Sequence, residues 1–193
     1  MKLAKSLWSL GSILVNITIG FYIYLMSQTP TDPVEKLAFI NQNWASFGAH
    51  WKLEFLFMAM IAIGAVYFAT NLKKVSWSII SVGQLIILLT YPIMLGGYKN
   101  TPLEIFQMAN EMATVVFLFG NLIFFAGLLH LYGTETRLKT WLKYAVLAMI
   151  ILITIAFGLA YGEVITWKQA LITGPLANLM YLFNAWYGWK MLS

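Results

Sequence analysis

Between Gln107 and Leu131 the chain reads QMANEMATVVFLFGNLIFFAGLLHL, an apolar run that carries Glu111 and Asn121 inside it. About 20 helical residues at 1.5 Å each cross the hydrocarbon of a bilayer, and this run supplies them with a turn to spare. Lipid offers the backbone no hydrogen-bond partner, so a spanning run of this kind must be helical. An ionisable group at the centre of such a helix costs about 2.5 to 3.5 kcal/mol. Glu111 is therefore expected to face protein or a wet cavity, and it marks the first candidate site.

Comparable runs recur along the chain. Of the 193 residues, 61% are hydrophobic and only 10% charged, where soluble domains carry about 25% charged residues. A soluble fold of this length could not hide that much apolar surface, so lipid must solvate the outer faces. The expected class is an all-α integral membrane protein, a bundle of about six transmembrane helices with a short interfacial helix. Spans are expected at about 7–26, 51–71, 77–95, 103–131, 141–161 and 167–191, all in one polytopic domain. A cleaved signal peptide has a shorter core, so the first run is expected to be a retained helix whose Ser9, Ser12, Asn16 and Gly20 form a packing seam.

Local signals set several boundaries. Asp32 can cap a helix that starts at Pro33, with Glu35 completing a capping box. Leu37, Ile40, Trp44, Phe47 and Trp51 then repeat at helical spacing, which predicts an interfacial helix over about 33–47 anchored by tryptophan at the headgroups. Thr101, Pro102 and Glu104 repeat the capping logic before the fourth span. Thr166 and Gln169 can form another box, and Pro175 removes a backbone bond to Leu171, so the last span is expected to kink or break there.

With a cytoplasmic N-terminus and six spans, eight basic residues (Lys2, Lys5, Lys73, Lys74, Arg137, Lys139, Lys143, Lys190) lie inside and four (Lys36, Lys52, Lys99, Lys168) outside. The positive-inside rule favours that orientation, with both termini cytoplasmic. The acids split the other way, with Glu135 alone inside. The net charge of +5 comes in short clusters between apolar runs, which reads as topology and not as a nucleic-acid surface.

Polar residues at helical spacing suggest a pocket open to the outside. Gln107, Glu111, Thr114, Leu118 and Asn121 share one stripe of the fourth span; Ser81, Gln84, Leu88 and Tyr91 share one on the third. Thr154, Gly158 and Tyr161 do so on the fifth, and Asn178, Tyr181 and Asn184 on the sixth, while Glu54 stands early in the second. The candidate ligand-binding set is Glu54, Gln84, Tyr91, Glu111, Asn121, Tyr161, Asn178 and Tyr181. The competing reading is plain helix-to-helix hydrogen bonding, worth about 0.6 kcal/mol per contact.

No cysteine is present, which removes disulfides, thiolate catalysis and iron–sulfur chemistry. His50 and His130 fall at opposite membrane faces on this topology, so they cannot share a metal or a haem. No zinc-protease, nucleophile-elbow or phosphate-loop motif occurs, and no cofactor is expected.

The second span, HWKLEFLFMAMIAIGAVYFATNLKK, places a Glu early in an apolar helix that ends in a basic turn. The last span, GPLANLMYLFNAWYGWKML, closes on Trp186 and Gly188-Trp189-Lys190. Both resemble the bacterial family called domain of unknown function 4386, which tends to carry an acid near where Asn184 stands. The resemblance covers two spans of about six. It implies a bacterial multi-span protein, hence the inner (plasma) membrane, and carries over no catalytic residue.

The function best suited to these residues is binding or transport of a small amphipathic or cationic molecule, through charge pairing and cation–π attraction. One alternative is a membrane-embedded enzyme using Glu54 or Glu111 as general acid or base on a lipid or isoprenoid. Another is a structural subunit of a membrane complex. The expected partners are membrane lipid and that ligand, and a bundle this small is compatible with a homodimer.

Overall fold

A computed structural model describes residues 1–192, and among them it holds helices and turns but no strand. The helices are α1 (Lys2–Gln28), α2 (Pro33–Gln42), α3 (Trp44–Leu72), α4 (Val75–Gly97), α5 (Leu103–Thr134), α6 (Thr140–Tyr161), α7 (Trp167–Ala170) and α8 (Gly174–Met191), with a 3₁₀ turn at Leu171–Thr173 between the last two. Five of them, α1, α3, α4, α5 and α6, are long and apolar enough to cross a membrane. Their outward faces carry exposed side chains such as Ile17, Ile63, Leu85, Val115 and Ile155, a surface that suits lipid and not water. The protein is accordingly an integral membrane protein. At 18 residues, α8 falls short of that apolar standard because it carries Asn178, Asn184, Tyr181 and Tyr187.

Most local signals act as expected. Asp32 Oδ1 accepts from the Val34 and Glu35 amides at 2.9 and 3.1 Å and starts α2. Thr166 and Gln169 form a reciprocal capping box at α7. Pro175 lies in the first turn of α8, so the last segment breaks through the 3₁₀ turn ahead of it and does not kink within one continuous helix.

Two expectations are corrected. The interfacial helix stops at Gln42, not near residue 47, because Asn43 leaves helical geometry (φ −106°, ψ 23°) and its side-chain amide donates to the Phe39 carbonyl. Trp44, Phe47 and Trp51 therefore belong to the first turns of α3, which is longer than the expected 51–71 span. Before α5, Pro102 takes the cap position, and the Thr101 hydroxyl turns back to donate to the Gly97 carbonyl at 2.8 Å.

Packing proceeds around a circuit: α3 rests on α1 and α4, α5 on α4 and α6, and α8 on α1 and α6. Small residues bring backbones together, as membrane helices require. A Cβ on Gly83 would lie 2.5 Å from the Phe124 amide nitrogen, and one on Gly64 would lie 2.9 Å from the Ala4 carbonyl. Met1, Leu72, Lys74, Arg137 and Met191 gather around a small cavity of about 120 Å³ at one end of the circuit. There Glu135, held by Arg137 and Tyr187, ties the α5–α6 connection to α8. A larger cavity lies toward the opposite end, beneath α2.

Candidate functional site

This second cavity encloses about 320 Å³ and draws its walls from α1 to α8. It sits where the C-terminal half of α1, the first turns of α3 and the end of α4 meet the start of α5 and α8. From α2, Ile40 and Lys36 close over it. Its walls are mainly aromatic and thioether side chains, among them Tyr22, Trp51, Tyr91, Tyr181 and Met58, the composition of a preformed small-molecule site.

Glu54 is the one carboxylate on these walls. It is 8% exposed, and its only ion-pair neighbour among the described residues is His50, whose Nε2 stands 3.3 Å from Oε2 one turn earlier on α3. The His50 ring stacks on Tyr22 at 5.7 Å. Tyr22, Tyr91 and Tyr181, from three other helices, line the same cavity as Glu54. Four helices thus converge on a single acid.

On residues of the same wall several buried polar atoms have no hydrogen-bond partner among the described residues: Trp51 Nε1, Thr90 Oγ1 and the Tyr91 hydroxyl. An unpaired buried donor costs about 1–3 kcal/mol, and most such groups in folded proteins find a partner or an ordered water. Three residues of one cavity wall thus each carry an unsatisfied polar atom. Tyr181 spends its hydroxyl on the Met58 sulfur at 3.8 Å. Asn121, also on the wall, donates to the Phe117 carbonyl one turn back.

At the mouth, Lys36 Nζ donates to Asn110 Oδ1 at 2.7 Å, and the Tyr98 hydroxyl donates to the same oxygen at 3.2 Å. Burial pushes the Lys36 ammonium below its ordinary pKa, because the charged form loses hydration.

Of the eight sequence-derived candidates, Glu54, Tyr91, Asn121 and Tyr181 line this cavity together. Gln84 is fully buried with both amide atoms unpaired, about 10 Å deeper along α4 than Tyr91 by the helical rise, and it is not on the wall. Asn178 lies in the α1–α8 seam, where its backbone carbonyl accepts from Asn16 Nδ2 at 2.6 Å. Glu111 and Tyr161 stand outside. Glu111 is exposed on the outer face of α5 beside Met108 and Met112, and Tyr161 is 45% exposed at the end of α6. The expected burial of Glu111 fails because the cavity-facing side of α5 runs through Asn110, Ala113, Phe117 and Asn121, and a residue next to Asn110 is turned about 100° away from it. Glu111 also falls in the first third of a 32-residue helix, toward one end of the span and away from its centre, where a charge costs most.

The residues missed were His50, Trp51, Thr90, Lys36 and Asn110. His50 and Glu54 at i, i+4 were a readable signal, since that spacing puts two side chains on one helical face. Comparison of the chain with protein-family models, with curated proteins and with solved structures finds no match.

Proposed function

We propose that the protein is a six-span membrane bundle with both termini cytoplasmic, and that it binds or transports a small amphipathic or cationic molecule in the cavity at Glu54. The observation that carries this is a single buried carboxylate surrounded by tyrosine and tryptophan, with three unpaired polar atoms on the same wall. A carboxylate in that setting attracts a cation, and aromatic faces add about 0.5 to 2 kcal/mol each when desolvated. The eight basic residues at the end away from the cavity support the orientation by the positive-inside rule. α8, although less apolar, packs on α1 and α6, which supports counting it as a sixth crossing. The partial resemblance to domain of unknown function 4386 supports a bacterial plasma membrane and adds no activity.

Dodecyltrimethylammonium is a suitable probe, titrated into the full chain in an uncharged maltoside detergent. Saturable binding that weakens at least ten-fold in Glu54→Gln is expected. Equal binding by both proteins, or none by either, would overturn the proposal.

A second reading is favoured by the His50–Glu54 contact, which is an acid–base pair whose acid lines the cavity. Such a pair can move a proton during chemistry on a lipid or isoprenoid. That enzyme predicts turnover of a prenyl or acyl lipid that is lost in both His50→Asn and Glu54→Gln.

A further inference from the structure

The cavity carries two charges of opposite sign at two levels. Glu54 lies on the inner wall. Lys36 lies at the mouth, half-buried, and among the described residues no carboxylate comes within salt-bridge distance of it. Its one hydrogen bond goes to the neutral Asn110, and its ammonium also stands 5.9 Å from the Phe106 ring centroid. The two levels are joined through a short series of contacts. Asn110 Oδ1 holds Lys36 and Tyr98, the Tyr98 ring packs edge-on against Trp51 at 5.3 Å, and Trp51 precedes Glu54 by one turn of α3. Trp51 is therefore about 4.5 Å along the helix axis from Glu54, and Lys36 stands further out again.

We propose that the ligand is a zwitterion that enters cation first, its positive group held by Glu54 and the aromatic wall and its negative group by Lys36 and the Asn110 level. This rests on the binding function proposed above and names the chemistry of its ligand. Three features support it. A half-buried ammonium with no anionic neighbour has lost hydration that only an anion repays in full. The burial that lowers the Lys36 pKa makes the charged form dependent on such a partner. Trp51 and Tyr91, on the same cavity wall, carry an indole N–H and a hydroxyl that are buried with no hydrogen-bond partner among the described residues. A purely cationic ligand would leave Lys36 repelling it at the mouth.

Two probes separate the charges: hexyltrimethylammonium and hexylphosphocholine, which share a quaternary cation and an alkyl chain and differ by the phosphate. Both are titrated into the full chain in maltoside detergent, with the fluorescence of the cavity tryptophans as readout. Lys36→Gln is expected to weaken hexylphosphocholine at least five-fold while leaving hexyltrimethylammonium within two-fold or tighter. Lys36→Arg restores the phosphate-bearing probe, and Glu54→Gln weakens both. Phosphocholine without the chain follows the same pattern, and its affinity relative to hexylphosphocholine tells a lipid headgroup from a free solute. If Lys36→Gln weakens both probes equally, the lysine merely holds α2 in place and the inference fails, as it does if neither probe responds to that substitution. In either case binding that still depends on Glu54 leaves the broader function standing. If wild-type protein binds neither probe, that function fails and takes the inference with it.

Discussion

Replacing Glu135 with glutamine should destabilise the protein by an amount that vanishes in acid. Glu135 is 6% exposed. Its carboxylate accepts from Arg137 Nε and NH2 at 2.9 Å each, from the Arg137 backbone amide at 3.1 Å and from the Tyr187 hydroxyl at 2.6 Å. The Arg137 hydrogen bonds, more than the cost of burial, hold its pKa at about 2 against the ordinary 4.5. Taken at full value that difference is about 3 kcal/mol. The Arg137 side chain is 51% exposed, however, and water screening reduces the contribution to about 1–2 kcal/mol. The folded-state pKa is depressed, so the stabilisation is fully present above about pH 4.5, half gone by about pH 3 and nearly absent at pH 2. Glutamine keeps the shape and loses the charge. In thermal unfolding followed by tryptophan fluorescence in maltoside detergent, Glu135→Gln should melt roughly 2–8 °C below wild type at pH 7, at 2–4 °C per kcal/mol for a chain of this size. The gap should close as the pH falls from 4.5 to 2. An unchanged melting temperature at pH 7, or a gap that persists undiminished at pH 2, would show that the Arg137–Tyr187 clasp does not stabilise the fold through this charge.

Other outcomes follow from the same geometry. Glu111→Gln should leave dodecyltrimethylammonium affinity within two-fold of wild type in the titration used for Glu54→Gln, because Glu111 faces away from the cavity; a ten-fold loss would contradict its exposed placement. Gly83→Ala should cost about 1–3 kcal/mol in thermal unfolding, since the new Cβ meets the Phe124 backbone at 2.5 Å and helix axes must part. Gly133→Ala, with nothing within 4 Å, should instead be neutral or stabilise by up to about 1 kcal/mol through helix propensity. Tyr187→Phe removes one donor to Glu135 and should cost about 1–2 kcal/mol at pH 7, with a smaller loss when combined with Glu135→Gln.

The class and the approximate positions of the long helices are legible from the chain alone. Lipid-length apolar runs can only be helices, and Asp32, Thr166, Gln169 and Pro175 act within one turn of themselves, so their roles follow from neighbours in the chain. The rotation of each helix was not legible. In water the polar face of a helix reveals the core by contrast, but in lipid both faces are apolar and the contrast disappears. On α5 the outer residues Met108, Met112, Val115 and Phe119 are as apolar as the inner Phe106, Ala113 and Phe117, and the stripe through Glu111 straddled the boundary between them. Glu54 was singled out, but its partnership with His50, the three unpaired donors and acceptors around it, and the approach of Lys36 from α2 depend on contacts between residues far apart in sequence. Only the packing of eight helical segments decided which carboxylate lines the cavity and which faces outward.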